Sequence, residues 1–580
     1  IAGAQALLPL QQPWSSALGW ALLFAGGVLL VAGLPAPRLE AVDEPSSRAV
    51  TAALVACTAL ALALRLLALD QLPLGMWRDE ARHGLLALRI LHDPTFRPVY
   101  VPVVADIPAL LFYLAAGPIA AFGPHPWTVR LVPALAGALT PLALYWMARS
   151  LFGVRAALLA AALLAVSVWH IALSRLAFAA TLGPLLTVLA LGLIWRALQA
   201  GPRRRGYLLA GLAGACGGLA VYAYHPSRLT PLVGALAVVA LLGIDWRAWR
   251  SAAPRLILTA AVLLAVLLPL INYTLDNPGN FSRRLDQTFI FDAATSDGHA
   301  PAPLVEQNAR LIAGMWNEHG DENGRHNLSG APMLDPLSGV AFVAGACLLL
   351  ARLRDRRAQI VLIWLGVMLI PGLLSGQAPH AARTVEAIAP TILLAAVGGA
   401  ALLDWALRER GWIANASLRW GVALGLLACV LALNGWRYFV AWPATPPAYL
   451  EFYVGQTHIG EAAQQLARAP ELNRYQVFVS ANLDDSDVID YLTFGSDVRK
   501  FDGSRLWLGP GDQALLILRG NRPADDQARR ILGAGALMIG EGPRSPVSGR
   551  PEFVIYARDA AAAPAVARVL ARLLAAAPWS

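Results

Sequence analysis

The sequence predicts a mainly α-helical, polytopic membrane protein of about twelve spans, followed by a small α/β domain. Three observations carry that prediction. The 580 residues are 57% hydrophobic and only 14% charged, with mean hydropathy +0.54, whereas charged residues make up about a quarter of soluble domains. Apolar runs of about twenty residues recur from Ser16 to Asn434, each long enough to cross a bilayer as a helix. After Asn434 charges return, and short strand-like runs alternate with helical ones.

In order, the spans are expected at 16–34, 49–69, 129–147, 154–170, 181–198, 207–223, 229–244, 255–273, 336–352, 359–374, 385–404 and 418–434. The first, with the proline-rich linker Pro35–Arg48, forms an extra N-terminal segment over 1–48. Because residue 1 is Ile, the chain is open to having lost an N-terminal piece or a processed signal. The membrane domain proper is expected over 49–434 and an extracytoplasmic α/β domain over 435–580. In the latter, helices are expected at Glu461–Ala469, Asp487–Phe494 and Ala524–Leu532, and strands at Tyr475–Ser480, Ala514–Leu518 and Glu552–Ala557.

Arginine placement sets the expected topology. The formal charge of +9 is nearly all arginine, with Lys500 the single lysine. Loops around 149–155, 196–206, 245–255, 351–357 and 405–419 each carry several arginines, while those around Arg175, Arg228 and Arg383 carry one each. The positive-inside rule puts the first set in the cytoplasm and the second outside. Topology therefore explains the basic balance, and nucleic acid is not expected as a partner. That alternation requires Ile107–Phe122, only 16 residues long and interrupted by Gly117-Pro118, not to span. Residues 70–128 then form one long outer loop lying on the membrane, and 274–335 a second. The four cysteines fall inside expected spans without zinc or disulfide spacing, so they are read as small buried apolar residues.

The first loop opens with Trp77-Arg78-Asp79-Glu80-Ala81-Arg82-His83-Gly84. Adjacent acids on a helix point about 100° apart, so Asp79 and Glu80 are expected to do different work. Asp79, Arg82 and His83 lie at i, i+3 and i+4 and share a face. Ala81, Leu85 and Leu88 form an apolar stripe expected to rest on the bilayer. The plainer alternative is a first-turn acid favoured by the helix dipole beside an interfacial arginine. Asp106 is a further acid on this loop. Arg175, His225, Arg228, His380 and Arg383 sit at outer membrane edges, where each alone is open to being a snorkelling side chain. Together they suit a lipid-linked phosphate, which guanidinium forks bind bidentately. The sequence has no Walker A loop, Rossmann fingerprint, HExxH or CxxC. A secondary transporter would carry its charges at mid-membrane, whereas these lie at the edges.

The segment RLLALDQLPLGMWRDEARHGLLALRIL resembles the first outer loop of GT-C membrane glycosyltransferases. The likeness is to the bacterial dolichyl-phosphate-mannose-protein mannosyltransferase-like group, which includes the aminoarabinose transferases of lipid A. FGPHPWTVRLVPALAGALTPLALYWMARSLFG, WHIALSRLAF, YAYHPSRLTPL and APHAARTVEAIAPTILLAAVG are similar to successive blocks of the same pattern, over about residues 49–405. The resemblance implies an inner-membrane enzyme that moves a sugar, with inversion, from a polyisoprenyl-phosphate donor to a protein, lipid or glycan acceptor at the outer face. It implies that Asp79 is the essential acid, acting as base toward the acceptor hydroxyl or orienting it. Glu80 would support it, and Arg82, His83, Asp106, Arg175, His225, Arg228, His380 and Arg383 would bind substrate. Some members carry an acid in the second outer loop, but SRLAFAATLG has none after Arg175, leaving Asp106 as the nearby substitute. Metal dependence varies across the superfamily, so no metal ligand or cofactor is assigned, with a divalent metal left open. The alternative is a non-catalytic membrane subunit or scaffold using the same fold.

Overall fold

A computed structural model of the chain describes residues 47–102, 106–280, 283, 288–291, 300–406, 416–480, 486–502, 506, 508–509, 511–520 and 524–576. The expected span at 16–34 and nearly all of its linker lie outside the described residues. Every other expected span coincides with a helix. The run at 49–69 becomes Arg48–Leu66, 19 residues that reach about 28 Å at 1.5 Å each. Those at 129–147 and 154–170 fall on two helices within Pro126–Val166, separated by a kink at Gly153 (φ 79°, ψ 176°). The rest become Leu182–Ala200, Arg204–Val221, Thr230–Leu242, Trp246–Asp276, Pro336–Leu350, Arg356–Leu373, Ile388–Asp404 and Ala416–Trp436. Among the described residues, seven helices are long and apolar enough to cross a membrane. The helix Leu110–Phe122, at 13 residues, is shorter than a span requires.

Local chemistry explains several boundaries. Asp245, Asp335 and Asp355 each accept hydrogen bonds from amides of the first helical turn, which otherwise lack partners. Proline at the first position of Pro336–Leu350 gives up no hydrogen bond there.

Two compact units emerge from the contacts within the chain. One comprises 1–67, 98–111 and 133–442, and the other 68–97, 112–132 and 443–580. In the first, small residues let helices approach closely: a Cβ on Gly345 would lie 1.9 Å from the Leu394 carbonyl oxygen. A short antiparallel ladder of β1 (Tyr100–Val101) and β2 (Ile107–Pro108) precedes Leu110–Phe122.

The second unit contains a five-stranded sheet of β3 (Gln476–Ser480), β4 (Val498–Phe501), β5 (Ala514–Arg519), β6 (Leu537–Glu541) and β7 (Phe553–Ala557). The order is β4-β3-β5-β7-β6, with β3 parallel to β4 and β5, and β7 antiparallel to β5 and β6. The three central strands are those expected from the sequence, and their alternate side chains feed two cores. Val477, Val479, Leu515, Ile517 and Ile555 pack with residues of helices Val454–Arg468 and Ala563–Ala576. Phe478, Leu516, Leu518 and Tyr556 pack with Ala524–Leu532. The edge strands β4 and β6 escape the sequence pattern because their exposed positions do not alternate with a buried face.

Candidate functional site

The acid cluster begins the helix Arg78–His92. Glu80 reaches back to accept the Trp77 amide at 3.1 Å, closing the helix start. Its carboxylate also receives the fork of Arg130, Nε to Oε1 and Nη2 to Oε2 at 2.9 Å each, with both side chains fully buried. Arg130 Nη1 further donates to the carbonyls of Leu69 and Pro73 at 3.2 Å. This clamp ties the chain before the helix to the start of Pro126–Val166. Both Glu80 oxygens are therefore already bonded inside the protein.

Asp79 differs sharply from its neighbour. Its side chain is 32% exposed and is flanked by Arg78 at 3.9 Å and Arg82 at 3.7 Å, both longer than a hydrogen bond. Arg82 directs its fork to Asp487 instead, at 2.8 and 3.1 Å. His83 is buried with its ring 5.2 Å from that of Phe112. The apolar stripe also needs correction: Ala81 and Leu88 are buried in protein, not laid on a bilayer. The reason is close packing against Ser486–Leu492, where a Cβ on Gly84 would fall 2.3 Å from the Tyr491 ring. Tyr491 in turn donates its hydroxyl to the His125 carbonyl at 3.1 Å.

The remaining expected residues belong to the other unit. Asp106 adopts a left-handed conformation (φ 52°) and holds Arg283, which donates from Nη2 at 2.9 Å and Nε at 3.2 Å. Tyr100 donates its hydroxyl to the Asp106 carbonyl at 2.6 Å and is also hydrogen-bonded to Arg228. His225 lies beside Tyr224, with ring centroids 5.5 Å apart. Arg175 caps a helix end. It is fully buried, and its Nη groups donate to the carbonyls of Leu64 and Leu67 at 3.0 and 2.8 Å, closing the end of Arg48–Leu66. Arg383 bonds the Ser375 hydroxyl. His380 meets Asp321 and His326, two residues of the second long loop that sequence reasoning did not single out. Burial alone would raise the Asp321 carboxyl, but His326, His380 and the Asn323 amide hold it at about 2. Burial, reinforced by His326, pushes His380 well below the usual imidazole range.

The unit with the sheet contains a cavity of about 390 Å³ lined by Asp70, Gln71, Trp127, His458, Glu461 and Gln464, among others. His458 Nδ1 pairs with Glu552 Oε2. Burial pushes the Glu552 carboxyl up to about 8 and the His458 imidazole down to about 4, so between those limits the pair holds one proton. Burial also raises Glu461 to about 7. None of these residues forms a sequence motif. Their acidic and amide types are unremarkable until the fold collects them.

Residues 106–273 match the model of the dolichyl-phosphate-mannose-protein mannosyltransferase family. The fold is similar to that of ArnT from Cupriavidus metallidurans bound to undecaprenyl phosphate, with TM-score 0.55 and 16% identity over 88% of this chain and 98% of that one. The apo state of the same ArnT gives TM-score 0.52 and 16% identity, over 88% and 99% of the two chains. No curated protein sequence matches the chain. In fold along most of its length, and in sequence over 106–273, the chain is similar to the GT-C membrane glycosyltransferases of the mannosyltransferase and ArnT kind.

Proposed function

We propose that this protein is a membrane glycosyltransferase that moves a sugar from a polyisoprenyl-phosphate donor to an acceptor hydroxyl at the outer face of the inner membrane, with inversion. Asp79 takes the acceptor proton as the hydroxyl oxygen bonds to the anomeric carbon. The bond from that carbon to the lipid phosphate breaks, and the phosphate leaves with the electron pair. Arg82 and His83, on the same helix as Asp79, shape the contacts of the acceptor. The observation that carries this reading is the contrast within the acid pair. Glu80 is fixed by Arg130, while Asp79, one residue away on the same clamped helix start, keeps a partly exposed carboxylate with no partner within hydrogen-bond distance among the described residues. A general base needs that combination of fixed backbone and available oxygen. The family match and the ArnT described with undecaprenyl phosphate support the donor class.

The test is transfer from a panel of undecaprenyl-phosphate sugars by the full chain in lipid nanodiscs, with the product anomer read by NMR. Asp79→Asn is expected to lower transfer by about 100-fold or more while leaving the unfolding temperature unchanged. Full activity in that variant, or a product that retains the donor's anomeric configuration, would refute the mechanism. A stable wild type inactive with every sugar would point to the non-catalytic subunit.

A further inference from the structure

The cavity in the unit with the sheet has a charge character opposite to that of the chain. Its volume of about 390 Å³ lies within the range of small-molecule sites. The chain carries 46 Arg and Lys against 37 Asp and Glu. Yet no arginine or lysine is among the described residues lining this cavity, while Asp70 and Glu461 are. One wall is a single face of the helix Val454–Arg468, where Thr457, Glu461 and Gln464 lie at i, i+4 and i+7, with His458 and Gln465 beside them. Another wall is aromatic. It is formed by Trp127, whose ring is stacked on that of His125 with 6.5 Å between centroids and 4° between planes.

Some of these groups are already used inside the protein. Thr457 Oγ1 accepts the Met76 amide at 2.9 Å, Gln464 donates to the Leu492 carbonyl, and His458 is paired with Glu552. The acids are not. The carboxylates of Asp70 and Glu461 have no hydrogen bond or ion pair among the described residues. Behind His458, Glu552 has a side chain only 3% exposed, and its Oε1 is buried with no hydrogen-bond partner among the described residues. A carboxylate withdrawn from water without a counter-charge is costly to ionise. Burial accordingly raises Glu461 to about 7, with no nearby cation to bring it down. A cation in the cavity would supply the missing partner. An anion would meet like charge there, and a neutral ligand would leave the acids uncompensated.

We propose that this cavity binds a small organic amine, its ammonium group held by Glu461 and Asp70 and covered by the face of the Trp127 ring. Gln71 and Gln465 offer side-chain carbonyl oxygens to the remaining N–H groups. The titratable groups that face Glu461 around the cavity are Asp70, His125 and His458, with Glu552 behind His458. Lower pH removes negative charge from the acids or adds positive charge to the histidines, so every one of them weakens amine binding in the same direction. This assignment stands independently of the catalytic role given to Asp79, which does not line the cavity.

The test is isothermal titration of the full chain, in nanodiscs of zwitterionic lipid, with 1,5-diaminopentane. Saturable binding is expected at pH 8, with affinity falling about tenfold by pH 6 as Glu461 takes up a proton. The neutral match 1,5-pentanediol and inorganic phosphate are expected not to bind. Glu461→Gln should weaken diamine binding by about tenfold or more and flatten its pH dependence. Gln465→Lys places a cation at an exposed residue of the cavity and should weaken binding likewise, which decides the matter if the Glu461 variant fails to fold. Glu306→Gln, which alters a 67% exposed acid of the other unit, should leave affinity unchanged. The proposal is overturned if folded wild type shows no saturable diamine binding, or if the diol binds as tightly. It is equally overturned if neither Glu461→Gln nor Gln465→Lys changes the affinity.

Discussion

The two long loops solve the same problem in opposite ways. Each buries charged or titratable side chains, which is costly unless they are paired. In the first loop Glu80 and Arg130 form a closed set: both carboxylate oxygens are bonded, and Arg130 also reaches backbone carbonyls. In the second, Asp321 is well bonded, but His326 keeps a buried nitrogen with no hydrogen-bond partner among the described residues. A closed set holds backbone in place; an unfinished one leaves a buried polar atom uncompensated. Asp79, which we propose as the base, is the neighbour of the closed set, not a member of it.

The largest effect should come from opening the closed set. Arg130→Met leaves Glu80 buried and unpaired, and is expected to destabilise by about 3–5 kcal/mol, read as a lowered unfolding temperature in detergent. The double change Glu80→Leu with Arg130→Met should recover part of that loss, since no charge is then stranded. If the single variant unfolds like wild type, the clamp is not what fixes the helix start.

A smaller, pH-dependent effect should come from the His458–Glu552 pair, another set left unfinished, since Glu552 Oε1 is buried with no hydrogen-bond partner among the described residues. Glu552 is raised from 4.5 to about 8, so its contribution is full below pH 4.5 and is lost as pH rises through 8. His458 is lowered from 6.5 to about 4, so its contribution is full above pH 6.5 and is lost as pH falls through 4. Between pH 4.5 and 6.5 the two slopes oppose each other, and the pair's net contribution should be level, declining on either side. Glu461, raised to about 7, adds a decline from pH 4.5 upward. Unfolding temperature against pH measures this, and Glu552→Gln with Glu461→Gln should flatten the fall above pH 6.5. A wild-type profile that is level from pH 6.5 to 8 would contradict it.

The smallest effect belongs to Asp487, whose pair with Arg82 is about one-quarter exposed on each side. Asp487→Asn should cost about 0–1 kcal/mol, and less at high salt. A larger loss would mean that this pair, like Glu80 with Arg130, belongs to the fixed frame.

Much of this was legible in the sequence because it rests on local periodicity. Apolar runs of span length identified the helices, and the alternating runs of β3, β5 and β7 identified the centre of the sheet. Spacing put Asp79 and Glu80 at the start of one helix. Three things were not legible. That Glu80 is already paired depends on Arg130, 50 residues away. That Arg175 closes a helix depends on Leu64 and Leu67, more than 100 residues before it. The Asp321, His326 and His380 cluster draws on two segments about 60 residues apart.

The sequence by itself determined the membrane class, the helices and the residue types at the loop edges, since hydropathy and charge are properties of each residue with its near neighbours. Only the tertiary structure decided which of the charged residues are already satisfied and which remain available. A side chain's partner is fixed by distance in space, and chain spacing carries no record of it.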